Sequence, residues 1–283
     1  MTSVTRVHHL NCGAMQPYGG ALFDGQSPVL APATLACHCL LLETGAGLVL
    51  VDTGAAAADP SQAERAHSPI FRVVDRIRLD PSEAAVNRIR ALGHQPEDVR
   101  HVVMTHLDFD HAAGLVDLPG AVVHLSALEA DAARTRGNAL ASQRYRPAQW
   151  GRASPRGQEG GWRTYATFPR DWFSLPAAEL EGLGPDILLI PLPGHTPGHC
   201  GVAVHAPDGW LLHAGDAIFH HRELADPSSM PTAARAYQWF MQTSQRQRRL
   251  SLARLRALRA AHGGAVRIVC THDPSLLPAA LAL

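Results

Sequence analysis

Short apolar runs, each closed by a polar or turn-forming residue, recur along the whole chain and read as strands more than as helices. Val4–His8 opens the series, with a Gly- and Pro-rich loop expected over 11–20. Thr34–Glu43 and Gly47–Val51 follow, joined through Thr44-Gly45-Ala46 as a hairpin. No period is sustained over 55–79, which reads as an irregular loop. Asp80-Pro81-Ser82-Glu83 then offers an N-cap, a proline at N1 and a glutamate at N3. With Val86, Ile89 and Leu92 on one face and Gly93 as the stop, one helix is expected there.

Val102–Met104 is the next buried strand and Ala121–Leu125 another; Ser126-Ala127-Leu128-Glu129 caps a helix running to Arg136. Ile187–Leu192, His199–His205, Trp210–His213 and Val266–Cys270 complete the strands. Thr232–Ala261 reads as mostly one long helix, with Leu250, Leu252, Leu255 and Leu258 inward and its arginines on a solvated outer face. Pro274 opens a short closing helix. Residues 137–180 stand apart as an insertion rich in Arg, Pro and Gly, holding Tyr145, Trp150, Trp162, Tyr165, Trp172 and Phe173. These aromatics either pin the segment to the body or anchor a flap over a substrate. The order of elements fits two β-rich halves with helices outside, packed sheet to sheet in a single domain across 1–283.

Lys+Arg and Asp+Glu are both 25, so the formal net charge is zero. That leaves no basic field for nucleic acid or an anionic membrane, and no apolar run is long enough to span one. MTSVTRVHHLNCGAM lacks the apolar core of a signal peptide. A cytoplasmic protein acting on a small molecule is expected, with no nucleic-acid or membrane partner; the sequence sets no oligomeric state. Cys12, Cys37, Cys39, Cys200 and Cys270 show no zinc-ribbon spacing and read as reduced thiols.

Histidine is the surplus residue, at 17, and histidines and aspartates gather where strands end. Thr105–Gly114, THLDFDHAAG, sets His106, Asp108, Asp110 and His111 directly after the Val102–Met104 strand. All four are side-chain types that bind divalent cations. In an extended loop positions 106, 108 and 110 share a direction, and Asp110 with His111 can diverge towards a second ion. That suits two ions side by side better than one structural zinc. Other strand ends carry Asp52-Thr53-Gly54, Gly194-His195-Thr196, Gly215-Asp216 and Thr271-His272-Asp273.

Together Asp52, the His106–His111 run, His195 within GHTPGH, Asp216 and His272 resemble the metallo-β-lactamase fold superfamily over residues 34–275. The resemblance implies an α/β fold, the αββα sandwich of two packed mixed β-sheets with helices on the outer faces and a dinuclear site along one edge. It implies that His106, Asp108 and His195 hold a first ion, that Asp110, His111 and His272 hold a second, and that Asp216 bridges them. Asp52 would support the ligands from behind, and His199 would be structural. The layout is most similar to the N-acyl-homoserine lactonase type: an irregular loop after Asp52-Thr53-Gly54, a helix ahead of the metal loop, and a chain end soon after His272. The implied activity is hydrolysis of an ester or lactone carbonyl by a metal-bridging hydroxide, with zinc the family's usual ion and Asp110 passing a proton to the leaving alkoxide.

Two positions depart from that pattern. Asp108 stands where the family has His, making three carboxylates where two are usual. Lower Lewis acidity is expected, with a shift at the first position from zinc towards manganese or iron. Phe219 stands where the lactonases carry a Tyr that contacts the substrate carbonyl, and His220 or His221 are the candidates to replace it in the pocket. Two other readings remain: a single-iron oxidoreductase of the persulfide dioxygenase type, which Asp110 and Asp216 together disfavour, and a metal-binding module without turnover.

Overall fold

The run Leu35–Thr44 is apolar at nearly every position because both faces of its strand are buried. Leu40 and Leu42 enter a core shared with Ile187, Leu189, Val202, Val204 and Leu211, while Cys39 and Leu41 face the other way, against Ile89 and Leu115. The same alternation in the second half sends Leu188, Ile190 and Leu212 outward onto Leu252, Leu255 and Leu258. Three apolar layers result, one between two sheets and one under the helices on each outer side. The computed structural model describes residues 3–150 and 161–278.

The first sheet is built from β1 (Val4–Met15), β2 (Leu35–Thr44), β3 (Gly47–Val51), β4 (Ile77–Arg78), β5 (Val99–Val103), β6 (Val122–Ser126) and β7 (Trp162–Tyr165), in spatial order β4-β1-β2-β3-β5-β6-β7. The second holds β8 (Arg170–Trp172), β9 (Leu175–Leu180), β10 (Gly184–Pro191), β11 (Cys200–Ala206), β12 (Gly209–His213) and β13 (Val266–Val269), in order β13-β12-β11-β10-β9-β8. Both are mixed, and the expected αββα sandwich is what forms. In the first sheet β3, β5 and β6 run parallel. In the second, β11 is antiparallel to β10 and β12, and β13 is parallel to β12, so β10, β12 and β13 share one direction. The carboxyl ends of these strands line one edge of each sheet. Asp52, the Thr105–His111 loop, His195, Asp216 and His272 each follow such an end.

Several expected elements are corrected. The first strand continues through Met15, because its whole length pairs with β2 and buries Cys12 and Ala14. Residues 55–79 are not irregular throughout: they fold into helices Pro60–Ala66 and Pro69–Val74 and strand β4. The helix expected from Asp80 divides into a 3-10 turn, Pro81–Glu83, and a helix, Ala85–Ala91. Asp80 accepts from the Ser82 amide as a cap should, but Glu83 is buried and ion-paired with Arg78 instead of reaching back. Within 137–180 the described residues form a short helix, Ala139–Arg144, and strands of both sheets, with Tyr145, Trp150 and Trp172 buried in the outer cores. Residues 151–160 of that stretch lie outside the described residues. The long helix is two, Thr232–Met241 and Gln245–His262. The break exists because the amides of Thr243 and Ser244 donate to Gly194 O, leaving the helix to clamp the loop that carries His195.

Candidate metal centre

The site begins with Asp52, whose backbone takes a left-handed φ of 55° that ordinary residues avoid. Held there, its Oδ1 accepts from the Thr105 amide at 2.8 Å, and its Oδ2 accepts from the Thr105 hydroxyl at 2.7 Å and from His111 Nδ1 at 2.8 Å. Asp52 thereby joins the end of β3 to the loop after β5, and turns the Nε2 of His111 into the centre. His272 is aimed likewise, its Nδ1 donating to Ala36 O at 2.9 Å. His199 stays out of the centre. Its Nδ1 meets Leu192 O at 3.0 Å and its Nε2 accepts from the Asp216 amide at 2.9 Å, a contact that positions the Asp216 backbone.

Two sets of donors meet at this edge. Asp110, His111, Asp216 and His272 each bring a ligand atom within 4.8 Å of the others, and so do His106, Asp108 and His195. Asp216 lies between the sets: its Oδ1 is 3.3 Å from His111 Nε2, and its Oδ2 is 3.2 Å from His272 Nε2 and 3.4 Å from His195 Nε2. All seven residues that the resemblance implies as ligands are therefore brought together and buried. The route differs from the extended loop envisaged. Asp108 caps a short helix, Phe109–Ala112, and Asp110 and His111 diverge because they sit on its first turn. A divalent cation suits the donors chemically, because the buried His106 Nε2, His111 Nε2 and Asp216 Oδ1 have no hydrogen-bond partner. Burial alone would push His111 down, yet Asp216, Asp110 and Asp52 outweigh it and hold the imidazole well above its usual range. The pocket is thus short of positive charge.

Three residues with no recognisable sequence signal complete the site. Glu129 was expected to close a helix cap; instead it is fully buried between the metal loop and GHTPGH. Its Oε1 accepts from the Leu107 amide and the Tyr145 hydroxyl, and its Oε2 from the Thr196 hydroxyl and the Gly198 amide. This close approach explains the glycines of the motif. A Cβ on Gly198 would lie 2.1 Å from the Glu129 backbone nitrogen, and one on Gly194 would lie 2.2 Å from that of Arg248. Arg144, 1% exposed, ends the Ala139–Arg144 helix with its Nε 2.9 Å from Asp108 Oδ1. Burial would raise the Asp108 carboxyl, but Arg144 and then His106 hold it well below the usual range. The Arg144 guanidinium thus stands against the extra carboxylate that Asp108 brings.

Phe219 covers the centre, its ring centroid 4.9 Å from that of His272 and 5.8 Å from that of His195. His220 and His221 turn instead to Asp273, with Nδ1 atoms at 3.4 and 2.6 Å from its Oδ2. The third unforeseen residue is Tyr237. Its ring is 6.2 Å from that of Phe219, and its hydroxyl is hydrogen-bonded to Asp75. Burial, with Asp110 adding, pushes the Asp75 carboxyl up to about 7 from an ordinary 3.8. The folded protein then binds a proton at Asp75 that the unfolded chain has released, so this residue's contribution to stability falls as pH rises from about 4 to 7. In metal-free protein Asp75→Asn should remove that slope, matching wild type near pH 4 and exceeding it by up to ~4 kcal/mol at pH 8. Denaturant midpoints of both proteins across that range check it; parallel curves would contradict it.

This fold and this edge define a class, and the chain belongs to it: the metallo-beta-lactamase superfamily family model matches residues 33–272. A probable metallo-hydrolase of Mycobacterium tuberculosis is 38% identical over 275 residues, covering 96% of this chain and 81% of the relative. An N-acyl homoserine lactonase of Bacillus thuringiensis subsp. kurstaki is 23% identical over 216 residues, 74% of this chain and 77% of its own. Among solved structures, an N-acyl homoserine lactone hydrolase with the product N-hexanoyl-L-homoserine bound at its catalytic metal centre superposes with a TM-score of 0.69 at 20% identity, over 96% of this chain and 94% of that one. A probable metal-dependent hydrolase from Staphylococcus aureus gives 0.69 at 17% identity, over 97% and 91%. At such identities these structures establish the fold. Among the described residues no helix is long and apolar enough to cross a membrane.

Proposed function

We propose that the protein is a metal-dependent hydrolase of a small ester or lactone, with two ion positions sharing Asp216. The observation that carries this is the meeting of the two buried donor sets at that one carboxylate. Divalent ions at such a centre supply Lewis acidity and lower the pKa of water, so that hydroxide is available near neutral pH without a Ser or Cys nucleophile. The chain's own residues do the rest. Asp52 fixes the orientation of His111, His199 fixes the backbone of Asp216, and Glu129 binds the metal loop to the loop carrying His195. Asp110, at the edge of the second donor set with a second carboxylate oxygen to spare, is placed to take a proton and pass it to the leaving alkoxide. Phe219 closes the centre with an apolar face and offers a substrate carbonyl no hydroxyl.

The lactonase-like relatives make acyl-homoserine lactones the first substrates to try, and Phe219 argues that they are not the best. In a panel of aryl esters, aliphatic esters and lactones, turnover of acyl-homoserine lactones should rank below at least one other class. Phe219→Tyr should raise lactone turnover by about tenfold, the size of one net hydrogen bond. Unchanged lactone kinetics in that variant would remove position 219 from carbonyl contact. No hydrolysis of any member by the metal-loaded protein would overturn the proposed reaction class.

A further inference from the structure

The two ion positions are not equivalent, and the difference lies in Arg144. At the second position Asp110, His111, Asp216 and His272 form a four-donor set whose ligand atoms contact one another, His272 Nε2 lying 3.2 Å from Asp216 Oδ2. At the first position a cation is already present. The guanidinium of Arg144 brings Nε to 2.9 Å from Asp108 Oδ1 and 3.1 Å from Oδ2, Nη1 to 3.2 Å from His195 O, and Nη2 to 3.1 Å from His195 Nε2. His195 Nε2 has one lone pair. If it accepts from Arg144 it has none to offer an ion; if it is protonated, it donates to Asp108 Oδ2, 2.9 Å away. Arg144 thus lies against two of the three residues of the first position, Asp108 and His195.

The side chain is also held in place and has somewhere to go. Gln149 Nε2 donates to Arg144 O at 2.6 Å, and the neighbouring Tyr145 donates to Glu129, so the backbone under Arg144 is fixed. Beyond it opens a cavity of about 500 Å³, lined by Asn138, Leu140, Arg144, Pro197 and Thr243 among others. A long, flexible side chain can leave Asp108 for this space without moving the helix.

We propose that Arg144 is a built-in competitor for the first ion: guanidinium and metal take turns on Asp108 and His195, so the second position fills first and the first fills only as Arg144 withdraws. This rests on reading the centre as a metal site, and it adds that the site is graded by a residue of the chain itself.

Zinc titration of the stripped protein against a chromogenic chelator, with bound ions counted by native mass spectrometry, tests this without reference to turnover. Wild type should bind one ion tightly and a second about 100-fold or more weaker, the scale of breaking a buried charge pair. Arg144→Met should narrow the gap at least tenfold by strengthening the weaker step alone. Arg144→Lys, which keeps the charge but cannot fork across Asp108 and His195, should fall between them. Two equal tight steps in wild type would overturn the proposal even if no variant folds. So would a weaker step that Arg144→Met leaves unchanged or weakens further. Hydrolysis plays no part in these readouts, so a failure here and a failure of the hydrolase reading are separate results.

Discussion

Asp216→Ala is expected to abolish hydrolysis, with turnover down by about 10³-fold or more, and to remove at least one ion per chain. The Asp216 carboxylate reaches ligand atoms of both donor sets. Its Oδ1 faces His111 and its Oδ2 faces His272 and His195, so removing the carboxylate takes a donor from each position at once. The fold should survive. His199 accepts from the Asp216 backbone amide, a contact that does not depend on the side chain. Asp216→Asn refines the test, because it keeps the shape and removes the charge, and should still weaken metal binding clearly. Full metal content in the alanine variant, measured by elemental analysis, would show that Asp216 does not join the two positions.

The second large effect falls on stability. Glu129→Ala should destabilise the protein by about 3–5 kcal/mol, the range seen when one partner of a buried charged network is removed. Four donors lose their acceptor together: the Leu107 and Gly198 amides and the Tyr145 and Thr196 hydroxyls. For a domain of this size that corresponds to a melting temperature lower by roughly 10 °C. Because Leu107 adjoins His106 and Asp108, while Thr196 adjoins His195, the first ion position should loosen more than the second. Thermal melts with and without zinc check both parts. An unchanged melting temperature would mean that Glu129 is dispensable as the tie between the two loops.

The legible parts of the site were those written as local runs. THLDFDH and GHTPGH announce themselves because their donors sit within a few residues of one another at strand ends, and the alternation of apolar residues places those ends on a common edge. Arg144 and Glu129 were not legible, because their roles come from packing between segments far apart in sequence. An arginine closing a helix and a glutamate three residues after a serine cap each have an ordinary local explanation, and only the fold shows them fully buried. The break at Gln242–Ser244 does have a local signal: Ser244 followed by Gln247 is the pattern of a helix start, and the Ser244 hydroxyl accepts from the Gln247 amide. The 3-10 turn at Pro81–Glu83 was hidden because the same residues that would cap an α-helix serve the tighter turn equally well.

The most direct test of the account is one titration. Protein stripped with a chelator is reconstituted stepwise with zinc, and in parallel with manganese or ferrous iron, while hydrolysis of the best ester or lactone in the panel is followed. No hydrolysis is expected in the stripped protein, and turnover should return with added metal, while the His106, Asp110, His111 and His272 alanine variants fail to regain it. Hydrolysis that persists in protein verified as metal-free would contradict the account.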